Sequence, residues 1–155
     1  MTLTVDLLAA LREELTTDPA GLGYAGMQPE QVRTALASAT VETIRNVPLD
    51  ELQAYLMTVV ADGQTVPAWW VLKSAAATNP VAEMAYDLFS SRLQALDVRL
   101  PTVQMLLGQL VATSVLTQDI ADAIVAMSHV TVARGVALFG AIPTVLEIQF
   151  ALLDD

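Results

Sequence analysis

The sequence predicts an all-α protein, a compact array of eight or nine short helices. Apolar residues recur with the 3.6-residue period of helices, and proline and glycine divide the chain at regular intervals. Two apolar runs joined by a hairpin turn are not found. Most segments between the breaks are only about three turns long, which is too short for an up-and-down bundle. We therefore expect one helical domain over residues 1–155.

The N-terminal part of the chain predicts two helices and a connector. Leucines along residues 4–15 form a single apolar stripe, and Thr4 is a suitable N-cap. Asp18-Pro19 ends this helix, because a residue that precedes proline avoids the helical region. A second helix is predicted over residues 29–39, with proline at its first position. Residues 40–47 are rich in β-branched types and form either an extended connector or one short strand.

The remaining helices show the same start signals, since most begin at a proline or at a Thr or Asn cap. Their predicted ranges are 48–63, 65–77, 79–96, 101–114, 117–127, 132–139 and 143–153. The apolar stripes of all these helices predict the core, which consists of Leu8, Leu11, Leu15, Leu36, Leu52, Leu56, Leu72, Met84, Leu88, Leu106, Leu110, Ile120, Ile124 and Leu146.

Composition excludes several classes of protein. Hydrophobic residues make up 54% of the chain and charged residues 15%, against about 25% charged residues in a typical soluble domain. Such a chain is not disordered. A formal net charge of -10 disfavours nucleic acid as a partner, because most of the surface would repel a polyanion. With no cysteine, a disulfide scaffold and a zinc–thiolate site are excluded.

The high hydrophobicity raises the question of a membrane span. The longest uncharged run covers residues 100–118, but it contains glutamines, hydroxyl side chains and an early proline. The N-terminus lacks the basic region and the apolar region of a signal peptide. We therefore expect no transmembrane segment, no cleaved signal and no membrane partner.

Residues 21–26 match the pattern G-x-G-x-x-G, which admits two interpretations. A dinucleotide site needs a preceding strand and a surrounding βαβ unit, whereas here the preceding segment is predicted as a helix. The favoured interpretation is a tight turn between helices. In that turn the glycines adopt positive φ and the aromatic residue packs inward, and its members are Gly21, Gly23, Tyr24 and Gly26.

The segment Asp18-Pro19-Ala20-Gly21-Leu22-Gly23-Tyr24-Ala25-Gly26-Met27 resembles an element of small tailed-bacteriophage proteins. In that family a short helix precedes Asp-Pro, and a Gly-Tyr-Ala-Gly-Met-like turn leads to a second short helix. The likeness covers residues 5–30 and extends loosely over 110–117 and 127–139. Leu22 departs from the family, where a basic residue is common. The family has no established activity, so the resemblance implies a phage origin and no mechanism.

Residues with catalytic or metal-binding chemistry are few and scattered. His129 is the only histidine, and the adjacent Ser128 points elsewhere if both lie on a helix. Asp119 and Asp122 could share a cation, but acids at the start of a helix also complement its dipole. Arg45 could bind an anion, although pairing with an acid is favoured. We therefore predict no catalytic residue, no metal site, no cofactor and no enzymatic activity.

The surplus of apolar residues predicts association. Adjacent Trp69 and Trp70 project about 100° apart on a helix, which admits two interpretations. Either one of them faces the core and the other a partner or a groove, or both are half-buried between neighbouring helices. We assign Trp69 to the core. Several later helices are apolar on more than one face, which predicts a homo-oligomer or a contact with other phage proteins. The interface candidates are Trp70, Val136, Phe139, Ile142, Phe150 and Leu153.

These observations favour an accessory structural subunit of a phage head or tail, found in the host cytoplasm during infection and in the virion. The alternative is a phage inhibitor of host defence that binds a host protein or sequesters a small signalling ligand. Sequestering an anionic ligand would need arginines that converge on a pocket, and the sequence shows no such cluster.

Overall fold

The computed structural model describes residues 4–61 and 63–153, and within them it is rich in helices with four short strands. The helices are α1 (Val5–Thr17), α2 (Pro29–Ser38), α3 (Leu49–Thr58), α4 (Ala68–Ala75), α5 (Pro80–Phe89), α6 (Pro101–Ala112), α7 (Gln118–Ala126), α8 (Arg134–Phe139) and α9 (Val145–Leu152). The strands are β1 (Thr40–Ile44), β2 (Val47–Pro48), β3 (Ala95–Leu96) and β4 (His129–Ala133). None of the described helices is long and apolar enough to cross a membrane.

The strands correct the prediction of an all-α protein in part, because β1 lies within residues 40–47, where one short strand was among the two interpretations. β1 pairs with β4 in one two-stranded sheet, and β2 pairs antiparallel with β3 in another. The expected helix over 79–96 ends at Phe89, because the chain then turns into β3. The expected helix over 132–139 starts two residues late, since Val132 belongs to β4. In both cases a strand far away along the sequence supplies the backbone partner, which local periodicity does not reveal.

The contacts within the chain define two compact units. The first comprises residues 1–43 and 131–155. In its described part, α9 packs against α1 and α2, and α8 packs against α2. The core of this unit consists of Leu11, Leu15, Tyr24, Val32, Leu36, Phe139, Ile148 and Ala151.

The second unit comprises residues 44–130. Along it α3 packs on α4, α4 on α5, α5 on α6, and α6 on α7. Trp69 lies in its core against Tyr86, with ring centroids 5.2 Å apart. The largest fully buried side chain is that of Phe89, at the end of α5.

Of the fourteen predicted core residues, ten are buried, two are half-buried and two are exposed. Leu8 and Leu88 are half-buried. Met84 is 64% exposed, because α5 turns Ala82, Ala85 and Phe89 inward instead. Leu146 is also exposed, since the buried residues of α9 lie on its other side. Helix α9 is apolar on most of its sides, so periodicity does not identify its inner face. On α5 two small alanines face inward where the larger Met84 was expected.

Helix α6 ends in a Schellman motif that has serine where glycine is usual. Ser114 has φ 57°, in the left-handed region. Its N–H donates to the Val111 carbonyl at 2.9 Å, and the Val115 N–H donates to the Leu110 carbonyl at 2.9 Å. These two bonds satisfy carbonyls that the helix end would otherwise leave free. The motif therefore stabilises the α6 end while holding Ser114 in a costly conformation.

Replacing Ser114 by glycine is expected to stabilise the protein by about 1 kcal/mol. The left-handed region costs a residue with a β-carbon about 1–3 kcal/mol, whereas glycine adds only about 0.4–1 kcal/mol of unfolded-chain entropy. Urea unfolding measures the difference. Ser114→Ala keeps the β-carbon and should stay within about 0.5 kcal/mol of the original chain. A glycine variant that is less stable than the original chain contradicts the assignment.

Candidate functional site

The turn after α1 is held by one aspartate. Asp18 adopts the left-handed region with φ 43°, not the extended conformation that a following proline favours. Its carboxylate accepts the Leu22 N–H at 2.8 Å and the Gly23 N–H at 2.7 Å. The glycines of the turn all have positive φ, at 65° for Gly21, 76° for Gly23 and 81° for Gly26. The segment that resembles the phage element is thus a backbone turn that needs these residue types.

The turn delivers Tyr24 to a buried charged cluster within the first unit. Glu14 of α1 is 6% exposed, and Arg134 at the start of α8 contacts it with both arms of the guanidinium. Arg134 Nε donates to Glu14 Oε1 at 2.7 Å, and Nη2 donates to Oε2 at 2.8 Å. The Tyr24 hydroxyl donates to Glu14 Oε1 at 3.0 Å. One carboxylate therefore joins α1, the turn and α8.

The electrostatics of this cluster are those of a structural site. Burial, followed by the hydrogen bond to Glu14, raises the pKa of Tyr24, so the phenol remains a neutral donor. The hydrogen bonds that Arg134 donates to Glu14 raise the pKa of Arg134 as well. A cavity of about 330 Å³ lies beside the pair, but both carboxylate oxygens already accept hydrogen bonds. The cluster offers neither a free base nor a nucleophile to a ligand in that cavity.

The other polar residues singled out by the sequence are not brought together. His129 is exposed on β4, and Ser128 donates its hydroxyl to the Val125 carbonyl at 2.7 Å. Asp122 accepts a hydrogen bond from the side chain of Gln118 at 2.7 Å, and Asp119 lies in the first turn of α7. Among the described residues, no group of three acidic or histidine side chains could hold a metal ion.

Two exposed arginines pair with acids near them in sequence. Arg45 donates from both arms to the carboxylate of Glu51, as the favoured interpretation expects. Arg99 contacts Asp97 in the same two-armed way, at 2.7 and 2.8 Å. Side-chain hydrogen bonds to Arg99 lower the pKa of Asp97. Neither guanidinium faces an open anion site, because each is occupied by its own carboxylate.

No family model, curated protein or solved structure matches this chain. Large apolar side chains are exposed on particular helices, and such surfaces mark contacts with other proteins.

The outer side of α9 is the clearest apolar surface of the first unit. Leu146 is 60% exposed, Phe150 58% and Leu153 77%. They lie at i, i+4 and i+7, so they follow one side of the helix. Ile148 and Ala151 occupy the opposite side and are buried. We call the stripe of Leu146, Phe150 and Leu153 the α9 face.

The remaining interface candidates have mixed positions. Val136 is exposed, and Ile142 is half-buried. Phe139 was expected at an interface but is 4% exposed in the core of the first unit, which corrects that expectation. Sequence reasoning also missed Leu146, which it placed in the core. Helix α8 has only six residues, too few for an apolar period to identify its inner side.

The adjacent tryptophans lie as the sequence analysis assigned them. Trp69 is 6% exposed and Trp70 is 50% exposed. Lys73, one turn further along α4, places its ammonium 5.1 Å from the centre of the Trp70 ring. This cation–π contact orients the exposed ring and leaves it available at the surface of the second unit.

Valine at Gly23 or Gly26 is expected to destabilise the protein by about 1–3 kcal/mol, the cost of left-handed backbone for a branched residue. A β-carbon at either site would meet no atom within 4 Å, so the cost comes from φ alone. Asparagine tolerates this region and is the matched control, with a smaller loss. Thermal melts with and without NAD measure the effect. An unchanged melting temperature in the valine variants, or a shift on adding NAD, contradicts the structural turn.

Removing Arg134 is expected to destabilise the first unit more than removing the whole pair. Arg134→Leu leaves the Glu14 carboxylate buried without its cation, at a cost of about 3–5 kcal/mol. The double variant Glu14→Leu with Arg134→Leu buries no charge and loses mainly the Tyr24 hydrogen bond, worth about 1–3 kcal/mol. Urea unfolding of both variants makes the comparison. A double variant less stable than Arg134→Leu would show that the pair does not act in this way.

Proposed function

We propose that the chain is a non-enzymatic assembly protein of a tailed bacteriophage, an accessory structural subunit of its head or tail. In this proposal it acts through apolar helix contacts with itself or with other phage proteins. The observation that carries the proposal is the α9 face, where three large apolar side chains follow one side of a helix without a covering partner among the described residues. The turn that resembles the phage element supports the phage origin.

The size of the α9 face fits a repeated assembly contact. Fully burying a leucine or phenylalanine yields about 1.5–3 kcal/mol, so each half-exposed side chain offers about 1–2 kcal/mol. A helix of eight residues is only about 12 Å long. It therefore covers less than the roughly 800 Å² per partner of a standard stable interface. Contacts of this kind are weak and reversible alone and add up when many copies are held together.

A non-enzymatic role is supported by how the polar groups are used. The buried carboxylate of Glu14 is satisfied by Arg134 and Tyr24, and the buried hydroxyl of Ser128 is bonded to backbone. Their hydrogen bonds hold the fold together, whereas a catalytic site keeps a base or nucleophile available to substrate.

The alternative, a phage inhibitor that binds a host protein, is favoured by one observation in the second unit. Trp70 is half-exposed and oriented by Lys73, and tryptophan is enriched among residues that dominate protein interfaces. The version that sequesters an anionic signalling ligand has less support, because Arg45, Arg99 and Arg134 pair with carboxylates of the chain itself.

Quantitative mass spectrometry of purified virions distinguishes the two functions. An assembly subunit is expected at many copies per particle. An inhibitor is expected to be absent from particles and to be made early in infection. Absence from virions would overturn the proposed function.

Phe150→Glu is expected to lower the number of copies per virion at least tenfold, because a charge on the α9 face opposes its burial. Tenfold corresponds to about 1.4 kcal/mol of contact energy. Met84→Glu is the matched control, since Met84 is equally exposed but lies on α5 of the second unit. Melting curves should show both variants folded. Equal copy numbers for the two variants would exclude the α9 face as the assembly contact.

A further inference from the structure

Helix α6 contains a glycine that the fold of the chain does not require. Gly108 lies in the middle of the helix, where glycine is less stable than alanine because it loses more backbone freedom on folding. Five of the other glycines have positive φ, and at Gly135 a β-carbon would meet side chains within 3.4 Å. A β-carbon at Gly108 would meet no atom within 4 Å. Its missing side chain leaves a notch in the surface of the second unit.

The notch is part of a groove between α6 and α7, which we call the α6–α7 groove. Each helix lines the notch with four residues at spacings i, i+3, i+4 and i+7, namely Gln104, Leu107, Gly108 and Val111 of α6 and Gln118, Ala121, Asp122 and Val125 of α7. Four residues at these spacings form the hole that receives one side chain of a packed helix. The notch has a volume of about 120 Å³. An apolar cavity of about 150 Å³ holds a benzene molecule, so the notch has room for the end of one apolar side chain.

The groove continues past the end of α6, and its ionisable side chains are acidic. A cavity of about 390 Å³ shares two lining residues with the notch, and a third cavity of about 130 Å³ shares two with the second. Asp122 lines the notch and Asp119 lines the third cavity, whereas no Lys, Arg or His of the described chain lines any of the three. The Asp122 carboxylate accepts a hydrogen bond from the Gln118 side chain, and neither aspartate has a cationic partner among the described residues.

We infer that the α6–α7 groove binds a basic amphipathic helix of a partner protein. An apolar side chain of that helix occupies the notch at Gly108, and a lysine or arginine beside it pairs with Asp122. The inference goes beyond the proposed function, because it concerns the second unit and a partner other than a copy of this chain. It applies equally to an assembly subunit and to an inhibitor of host defence.

Charge and spacing favour this occupant over others. The formal net charge of -10 repels a second copy and a nucleic acid, whereas it attracts a basic segment and speeds its encounter with the chain. A helix carries its apolar anchors at spacings of three, four and seven residues, which are the spacings of the residues that line the notch. An extended peptide places its side chains alternately on two sides and does not match them.

Three labelled peptides of about 18 residues, long enough for five helical turns, test the inference. The first has leucines along one side of the helix and lysines beside them. The second has glutamate in place of every lysine, and the third has the composition of the first in an order without an apolar side. Fluorescence anisotropy measures their binding to the full chain. We expect saturable binding of the lysine peptide, at least tenfold tighter than that of either other peptide.

Two variants of the chain locate the binding site. Gly108→Leu fills the notch and should weaken binding of the lysine peptide at least tenfold, while the melting temperature stays the same or rises because leucine is a good helix former. Gln109→Leu is the matched control, since it adds the same side chain at an exposed position outside the groove. Asp122→Asn keeps an acceptor for Gln118 and removes the charge, so binding should weaken at least threefold. Asp87→Asn, which removes an exposed acid of α5, should have no such effect.

Each contrary result overturns the inference. Equal affinity of the Gly108→Leu and Gln109→Leu variants excludes the groove, and equal affinity for the lysine and glutamate peptides excludes a basic partner. Absence of saturable binding up to about 1 mM lysine peptide excludes a specific site. Displacement of the peptide by an equal concentration of spermidine would identify a site for small cations. A dimer in sedimentation that Gly108→Leu dissociates would identify a second copy as the occupant. The proposed function depends on the α9 face and on virion copy number, so it stands or fails separately.

Discussion

The buried ion pair between Glu14 and Arg134 is the constraint on which the first unit depends. It joins residues 120 positions apart, and the turn after α1 supplies its third member through the Tyr24 hydroxyl. Taking a carboxylate into the interior is costly unless its lone pairs are satisfied. Here three donor hydrogens satisfy them, one of which needs the left-handed Asp18 and the glycines that follow. The segment of residues 18–27 therefore positions the Tyr24 phenol. Backbone geometry and hydrogen bonding account for its residue types.

We expect such a pair to contribute more to the uniqueness of the fold than to its stability. An apolar trio of similar volume could fill the same space, but it would accept several arrangements of α1 against α8. A two-armed contact between guanidinium and carboxylate accepts one orientation. The leucine stripe of α1 turns that helix inward, and the ion pair adds a fixed orientation relative to Arg134 at the start of α8. We infer that the ion pair fixes the orientation of α1 against α8 in this core.

Local signals in the sequence predicted the helices well and the pairing of distant residues poorly. Proline, glycine and the threonine caps located the starts of most helices, and the glycines of the turn have the positive φ that was expected of them. The strands β3 and β4 were missed because each is short and stabilised by a distant partner. Leu146 was expected in the core and is exposed, because α9 is apolar on most of its sides. Phe139 was expected at the surface and is buried, because α8 is too short to show an apolar period. Nothing local in sequence links Glu14 with Arg134, so that cluster was invisible before the fold was known.

The order of the two units along the chain has a consequence for biosynthesis. The first unit is interrupted after residue 43 and resumes at residue 131, so the second unit is an insertion within it. A ribosome completes the inserted segment before it has made α8 and α9. Until then α1 and α2 lack the helices that cover their apolar sides, and Glu14 lacks its cation. The inserted unit can fold while the chain is still growing, whereas the first unit closes only when α8 and α9 emerge. The synthesis of α8 and α9 is thus the moment at which the N-terminal helices become part of a folded unit.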